Sequence, residues 1–249
     1  MKHVVLVGAT DGIGRALAAS YLRRGWRVGL VGRDPGKLER VAGELRVREP
    51  EGMVATVACD VRDAGRVPGA FQDVLRALGQ MDLLVYCAGV MPPYGEDLDD
   101  RLAGIAPIFE VNVQGAIRFL ELAADYFEAA GEGRLAAIGS MAGVRGRRGH
   151  PVYGASKAAL HQYLEGLRHR LHRSGVGVTT VEPGWVRTRM LDAGKARSRA
   201  AVDAERAAEI IARGLDRGRD VLFVPRWWAL VAAVLRLMPR PLFKRLAPP

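Results

Sequence analysis

Near its start the chain reads Val4-Val5-Leu6-Val7-Gly8-Ala9-Thr10-Asp11-Gly12-Ile13-Gly14, which leads directly into Arg15-Ala16-Leu17-Ala18. Four apolar residues, a glycine-rich turn and a helical pattern predict a buried strand that turns tightly into a helix. Without Cβ atoms the turn lets backbone approach a pyrophosphate, and the helix N-terminus adds N–H donors. The spacing is G-x-x-x-G-x-G, and a purely structural strand-to-helix turn is an alternative interpretation.

Six more short apolar runs follow, with helical patterns between most of them. The predicted strands are Val4–Val7, Val28–Val31, Val54–Ala58, Leu83–Tyr86, Leu135–Ile138, Val178–Val181 and Val221–Val224. The predicted helices include Ile13–Arg23, Gly36–Val47, Ala64–Leu78, Phe109–Ala130 and Tyr153–Arg173. Such strands need cover on both faces, so we expect an α/β, Rossmann-type, doubly wound fold with a seven-stranded parallel sheet and helices on both faces. We expect one domain, 1–249, with 226–249 as its C-terminal extension.

Composition and charge narrow the class of protein. Hydrophobic residues make up 49% and charged residues 26% of 249, as in ordinary packed proteins. Cys59 and Cys87 lie in apolar runs, so we expect neither a disulfide framework nor a metal site, and a reducing cytoplasm fits. The net charge of +10 suits phosphate-rich ligands, acidic substrates or an anionic membrane. We expect no nucleic-acid partner, because the arginines are dispersed and no DNA-binding motif appears.

The end of the second predicted strand bears on cofactor choice. Dinucleotide-binding folds that prefer NAD place a carboxylate there for the ribose 2′-hydroxyl. Here Gly32 takes that place and Arg33 follows, offering a guanidinium to a 2′-phosphate. We therefore expect NADP(H) to be favoured over NAD(H). Two alternatives stay open: Arg33 as an exposed loop residue, and Asp34 as a ribose ligand.

A candidate acid–base pair lies later in the chain. Tyr153 and Lys157 are four residues apart and share one helix face. A nearby ammonium is expected to lower the pKa of a phenol toward the range useful for general acid–base catalysis. Ser140 follows the fifth predicted strand and could hydrogen-bond a substrate carbonyl, whereas Asn112 interrupts an apolar helical face and could equally be a satisfied core amide.

With these residues in hand, the chain resembles the short-chain dehydrogenase/reductase family, in its Y-x-x-x-K branch, from about Lys2 to Met190. The resemblance implies that Tyr153 is the general acid, that Lys157 lowers its pKa and binds the nicotinamide ribose, and that Ser140 orients the substrate oxygen. It also implies that Asn112 holds a relay water through its helix. The cofactor-binding residues so expected are Gly8, Thr10, Asp11, Gly12, Ile13, Gly14, Arg33, Asp60, Val61, Ala88, Gly89, Tyr153, Lys157, Pro183, Gly184, Val186 and Thr188.

Two positions depart from the family pattern. Val7 replaces the usual threonine before the first glycine, and Tyr86-Cys87-Ala88-Gly89 replaces N-N-A-G. The second change removes an asparagine that ties strands together near the cofactor. The resemblance further implies a small-molecule carbonyl or alcohol substrate and a homodimer or homotetramer, and Asp60 is expected to contact the adenine.

The substrate side and the C-terminal tail are less typical. Residues 144–150 form a basic loop that could bind an anion or simply be solvated. Residues 226–239 form an apolar helix that Arg236 and Pro239 make too short to span a bilayer. One face is apolar through Ala229, Ala232, Ala233 and Leu237, and the larger apolar face consists of Trp227, Leu230, Val231, Val234, Leu235 and Met238. Such a face is expected to be covered by the rest of the domain or a partner subunit, to line a hydrophobic substrate entrance, or to make a peripheral membrane contact.

These features predict an NADPH-dependent oxidoreductase that transfers hydride between the nicotinamide and a carbonyl or alcohol. Reduction of a hydrophobic or acyl-type ketone is the favoured reaction. The alternative is a non-catalytic NADP(H)-sensing protein on the same fold. The presence of Asn112, Ser140, Tyr153 and Lys157 together favours the enzyme, because a binding protein needs no such set.

Overall fold

The computed structural model describes residues 1–92, 95, 97–193 and 200–246. Seven parallel strands form the main sheet, in the order β3-β2-β1-β4-β5-β6-β9. The strands of this sheet are β1 (His3–Val7), β2 (Arg27–Gly32), β3 (Val54–Ala58), β4 (Leu83–Tyr86), β5 (Gly133–Ile138), β6 (Val176–Pro183) and β9 (Val221–Val224). Two short strands, β7 (Val186–Arg187) and β8 (Val202–Asp203), pair separately.

Helices cover both faces of this sheet. The longer ones are α1 (Gly12–Arg23), α2 (Pro35–Arg48), α3 (Arg66–Leu78), α6 (Ala116–Ala130), α7 (Pro151–Leu171), α9 (Ala204–Asp216) and α10 (Trp228–Leu237). The shorter ones are α4 (Leu98–Ala103), α5 (Ile105–Phe109), α8 (Arg189–Ala193) and α11 (Arg240–Leu246). A π-helical turn, Glu110–Gly115, joins α5 to α6, and a 3₁₀ turn, Met141–Gly143, follows β5.

The period of the first strand explains the two-sided core. Val4 and Leu6 pack with α1, α2 and α9 on one face, while Val5 and Val7 pack with α3, α6 and α7 on the other. All four side chains are fully buried. An apolar residue at every position is therefore what a central parallel strand requires.

The predicted seven-stranded parallel sheet is confirmed, and all seven predicted strands are present. The predicted helix from Phe109 to Ala130 is present but begins as the π-helical turn. Helix α9 was not placed by the sequence patterns, although its buried residues recur at helical spacing. None of the helices in the described part of the chain has the length and apolar character needed to span a bilayer.

The structure shows which face of the C-terminal helix is buried. Trp228 and Ala232 are buried, and Val231 and Leu235 pack partly beside them. The exposed stripe is Trp227, Leu230, Val234 and Leu237. The helix is apolar on both sides, and periodicity alone could not choose between them.

An arginine from the β5–α7 loop fixes the far end of α10. The Arg145 guanidinium donates hydrogen bonds to the carbonyls of Leu235 and of Met238, the latter at 2.6 Å. It also stacks 4.0 Å from the centroid of the Phe243 ring. A cation at the C-terminal carbonyls of a helix satisfies acceptors that the helix leaves free. The loop after β5 is thereby joined to the C-terminal segment.

Candidate active site

A cavity of about 1070 Å³ opens at the carboxyl edge of the sheet, a volume at the upper end of the range for ligand pockets. All the residues expected to bind the cofactor line it: Gly8, Thr10, Asp11, Gly12, Ile13, Gly14, Arg33, Asp60, Val61, Ala88, Gly89, Tyr153, Lys157, Pro183, Gly184, Val186 and Thr188. Ser140 lines it as well. Asn112 does not line it, although its neighbour Val111 does.

The glycine-rich turn is built by close backbone packing. Gly8 has a φ of +86°, and a Cβ there would lie 2.4 Å from the backbone nitrogen of Ala88. A Cβ on Gly14 would lie 2.4 Å from the carbonyl oxygen of Gly8. The Asp11 carboxylate accepts the Gly12 N–H at 2.7 Å and caps α1. The turn therefore presents bare backbone at a helix N-terminus, which fits a pyrophosphate.

Of the two cationic side chains near the end of β2 on the cavity wall, Lys37 has an ion pair and Arg33 has none within the described residues. Asp34 caps α2 by accepting the Lys37 N–H at 3.0 Å, and its carboxylate lies 3.8 Å from the Lys37 ammonium. This backbone hydrogen bond, with the lysine charge, lowers the pKa of Asp34. Arg33 is exposed and has no hydrogen bond or ion pair within the described residues. The structure thus gives Asp34 a capping role and leaves the Arg33 guanidinium available.

Asp60 is already paired with a neighbouring arginine. Its carboxylate accepts hydrogen bonds from the Arg62 side chain, the shortest at 2.7 Å, and from the Arg62 backbone N–H at 3.0 Å. These bonds lower the pKa of Asp60. The residue lines the cavity, and the expected contact between its side chain and an adenine stays a prediction.

Tyr153, Lys157 and Ser140 meet at the other end of the cavity. The Lys157 ammonium lies 5.8 Å from the centroid of the Tyr153 ring and donates to the Ile138 carbonyl at 2.8 Å. The Ser140 hydroxyl accepts the Ala142 N–H at 3.0 Å. Because its oxygen is the acceptor in that bond, the Ser140 O–H can act as a donor, and the neighbouring Tyr153 phenol is its partner here.

The expected lowering of the Tyr153 pKa by Lys157 is not found in the structure. Burial raises the pKa of Tyr153, and a hydrogen bond with Ser140 is the influence that lowers it. Burial also lowers the pKa of Lys157 to about 8. Sequence spacing places the two groups on one helix face but carries no information about desolvation, which dominates here.

Asn112 ties three parts of the site together. It is fully buried, and its Oδ1 accepts the Val90 N–H at 2.8 Å. Its Nδ2 donates to the Val90 carbonyl at 3.0 Å and to the Ser156 hydroxyl at 3.1 Å. Ser156 in turn donates to the Tyr153 carbonyl at 2.7 Å. The amide is fully satisfied and links the loop after β4 to the first turn of α7.

Tyr86, which stands where the family pattern has asparagine, links β4 to the π-helical turn. Its ring is buried, and its hydroxyl donates to the Val111 carbonyl at 2.6 Å. That bond joins the end of β4 to the π-helical turn. The departure at Tyr86 therefore leaves a polar link between these two elements.

A polar cluster around the buried Glu182 lies behind the site and was not anticipated from the sequence. His161 on α7 accepts the Ser140 N–H through Nε2 at 3.3 Å, and its Nδ1 lies 3.9 Å from the Glu182 carboxylate. Arg236 of α10 lies 3.6 Å from the same carboxylate. Burial, together with the charges of Lys157 and Arg236, lowers the pKa of His161 to about 4. Burial raises the pKa of Glu182, and Arg236 opposes that rise.

Several wall residues were also missed by sequence reasoning. Besides Arg147 and His150 of the basic loop, the substrate side is lined by residues that the sequence did not indicate: Met91, Pro92, Pro107, Met141, Trp185, Met190, Leu191 and Trp228. Trp228 comes from α10 and packs edge-on against Trp185, with ring centroids 5.3 Å apart. No local motif signals these contacts, because they depend on how distant segments fold back. Within the described residues, no three His, Cys, Asp or Glu side chains are grouped so that they could hold a metal ion.

Comparison with known proteins agrees with this arrangement. The family model described as short chain dehydrogenase matches residues 2–198. An uncharacterized oxidoreductase from Streptomyces coelicolor is 34% identical, covering 98% of this chain and 96% of that protein. A short-chain dehydrogenase from Sphingobium yanoikuyae, solved with NADPH, is 26% identical with a TM-score of 0.82, covering 96% of this chain and 97% of that one. A short-chain dehydrogenase/reductase from Burkholderia phymatum, solved with NAD, is 25% identical with a TM-score of 0.82, covering 98% and 94%.

A doubly wound sheet with a glycine-rich turn and a tyrosine–lysine pair in one cavity defines an NAD(P)-dependent oxidoreductase. The match over residues 2–198 is more specific, and the chain belongs to the short chain dehydrogenase family.

The buried histidine predicts a particular pH dependence of stability. Because the pKa of His161 falls from 6.5 to about 4 on folding, the unfolded chain binds this proton first as the pH drops. Stability is therefore lost between pH 6.5 and 4, by roughly 2 kcal/mol at pH 5. His161→Gln should flatten this part of the curve in denaturant unfolding at a series of pH values. His169→Gln on the exposed side of α7 is the control, and parallel pH curves for wild type and His161→Gln would contradict the prediction.

Proposed function

We propose that this chain is an NADPH-dependent reductase of hydrophobic or acyl-type ketones. The observation that carries the proposal is that Tyr153, Lys157 and Ser140 line the same cavity as the glycine-rich turn. We further propose that residues 1–249 form one domain with 226–249 as its extension. Residues 247–249 of that extension lie outside the described residues.

Tyr153 is proposed as the proton donor. Because burial raises the pKa of its phenol, the group is protonated at neutral pH, as an acid in carbonyl reduction must be. The Ser140 O–H, which interacts with the Tyr153 phenol in this structure, would donate to the same substrate oxygen and hold it beside the phenol. When bound, the reduced nicotinamide supplies a hydride to the carbonyl carbon.

Lys157 and Asn112 are proposed to position that donor. One N–H of Lys157 is bonded to the Ile138 carbonyl, which leaves the others for the hydroxyls of a nicotinamide ribose. Asn112 acts at longer range, since its amide holds Ser156 and through it the backbone of Tyr153. A relay water held by the π-helical turn remains part of the proposal.

The preference for NADPH rests on charge at the end of β2. Arg33 has no partner within the described residues, whereas Asp34 is used as the cap of α2. A free guanidinium suits a 2′-phosphate, and a carboxylate bound to its own helix N-terminus is poorly placed to accept from a ribose 2′-hydroxyl. Of the two related structures, one is described with NADPH and the other with NAD.

Tyr153→Phe tests the catalytic assignment. Removing the phenolic hydroxyl deletes the proton donor, so ketone-dependent oxidation of NADPH should fall by at least about a hundredfold while NADPH binding persists. Tyr163→Phe is the matched control, because that hydroxyl lies on the same helix but bonds to Glu121 outside the cavity. Turnover unchanged in Tyr153→Phe would refute the assignment.

Arg33→Ser tests the cofactor preference. Loss of a charge-assisted hydrogen bond to the 2′-phosphate should lower kcat/KM for NADPH by about ten- to a hundredfold, with little change for NADH. The control is Arg48→Ser, at the exposed far end of α2. If kcat/KM falls equally with NADPH and with NADH, Arg33 does not bind the 2′-phosphate.

We also propose that the outer face of α10 makes a peripheral contact with an anionic membrane and that the protein is otherwise cytoplasmic. The face is apolar, with Leu230 and Leu237 72% and 84% exposed. Residues 226–249 contain five Lys or Arg and no Asp or Glu, which is half of the net charge of +10. An isologous contact through this face would set these cations against their own copy, so the proposed homodimer or homotetramer uses other surfaces.

Leu230→Ser/Leu237→Ser tests the membrane contact without opening the cavity wall. Wild type should sediment with vesicles containing anionic lipid at low salt, bind less at high salt, and ignore zwitterionic vesicles. The double variant should bind markedly less because it loses the apolar part of the contact. Leu98→Ser/Leu102→Ser, on exposed α4, is the control. Equal sedimentation of wild type and the α10 variant would contradict the contact.

A further inference from the structure

Six cationic side chains line the cavity, and four of them already have partners. Lys37 pairs with Asp34, Arg62 with Asp60, Arg189 with Asp11, and Lys157 with the Ile138 carbonyl. The remaining two are Arg33 and Arg147, and neither has a hydrogen bond or an ion pair within the residues described. Arg33 is accounted for by the proposed 2′-phosphate. Arg147 is not.

Arg147 lies at the opposite end of the cavity from Arg33. Arg33 follows β2 and Arg147 follows β5, three strands further along the sheet. The strands from which the two loops depart are on the order of 14 Å apart. Arg147 stands in the loop between Ser140 and Tyr153, and His150 of this loop also lines the cavity. The residue therefore belongs to the substrate end.

The acidic residues of the cavity wall lie at the cofactor end, away from Arg147. Asp11, Asp34 and Asp60 are the carboxylates found on the cavity wall among the described residues, and they follow β1, β2 and β3. None of the described carboxylates on the wall lies at the substrate end, so none of them neutralises Arg147. Burial lowers the pKa of Arg147, which is the sign of a desolvated cation. An oxyanion entering this end would restore the lost solvation by bidentate hydrogen bonds.

The neighbouring arginines show that this position is distinct within its loop. Arg145 is committed to the end of α10, and Arg148 is exposed and does not line the cavity. A merely solvated basic loop would leave all three side chains in water, whereas Arg147 is half-buried and lines the wall. In the part of the wall that the structure describes, the substrate end thus combines apolar side chains with the available guanidinium of Arg147.

We propose that Arg147 binds an oxyanion group, a carboxylate or a phosphate, carried by the substrate. The substrates are then amphiphilic ketones with an apolar body and an anionic head group. This inference rests on the proposed function, since it names the substrate class of the same site. The guanidinium fork would fix one end of the molecule while Ser140 and Tyr153 hold the carbonyl oxygen at the other.

A binding experiment tests the site independently of turnover. Calorimetric titration of the full chain with NADPH present uses octanoate, octyl phosphate and methyl octanoate as probes. Wild type should bind at least one of the anions about ten- to a hundredfold more tightly than the neutral ester, and the stronger of the two identifies the head group. Arg147→Met should abolish this difference. Arg148→Met, one residue away and exposed, should retain it.

A turnover experiment separates this inference from the proposed function. The substrates are 4-, 5-, 6- and 7-oxooctanoate and their methyl esters, compared by kcat/KM with NADPH in wild type and Arg147→Met. The best acid should exceed its ester in wild type and lose that advantage in the variant. Equal use of acids and esters, with binding unchanged in Arg147→Met, overturns the anion site but leaves the reductase standing. Arg147-dependent anion binding with no reduction of any ketone supports the site and refutes the reductase.

Discussion

The hydrogen bond from the buried Lys157 ammonium to the Ile138 carbonyl holds the site in its working arrangement. An ammonium that is only 3% exposed is costly, and this bond gives it one partner inside the protein. Because Lys157 lies on α7 and Ile138 ends β5, the bond sets the helix against the carboxyl edge of the sheet. The packing is close, since a Cβ on Gly143 would lie 2.8 Å from the Lys157 backbone. Tyr153, one turn earlier, and Ser140, just beyond the strand, take their positions from this contact.

Much of the fold could be predicted because its determinants are local. Strands buried on both faces show as apolar runs, and a tyrosine and lysine four residues apart on one helix meet whatever else the chain does. What the sequence could not supply depends on distant partners. The capture of Asp34 as a cap, the pairing of Asp60 with Arg62, and the cluster of His161 with Glu182 and Arg236 each join residues through tertiary packing. The buried face of α10 could not be chosen from the sequence for a related reason, since both of its sides are apolar and tertiary packing decides which is buried.

Charge divides the cavity into two chemically different halves. In the cofactor half, acidic and basic residues alternate and most are satisfied within the chain, which leaves one guanidinium beside a backbone cradle made of glycine. In the other half, methionine, proline and tryptophan side chains surround the reactive oxygen donors. Among the residues described there, Arg147 is the arginine without a hydrogen bond or ion pair, and it stands in the loop that precedes α7. The three arginines of that loop have separate surroundings: the end of α10, the cavity and the solvent.

Trp228 connects the cavity wall to the exposed face of the C-terminal helix. A Cβ on Gly184 would lie 1.9 Å from the indole nitrogen, so the ring rests directly on the backbone at the end of β6. The same ring stacks on the exposed Trp227, with centroids 4.6 Å apart. The same helical segment thus forms part of the cavity wall and part of the exposed surface of the molecule. Because α10 carries both surfaces, a displacement of its exposed face would also move Trp228 and change the shape of the cavity.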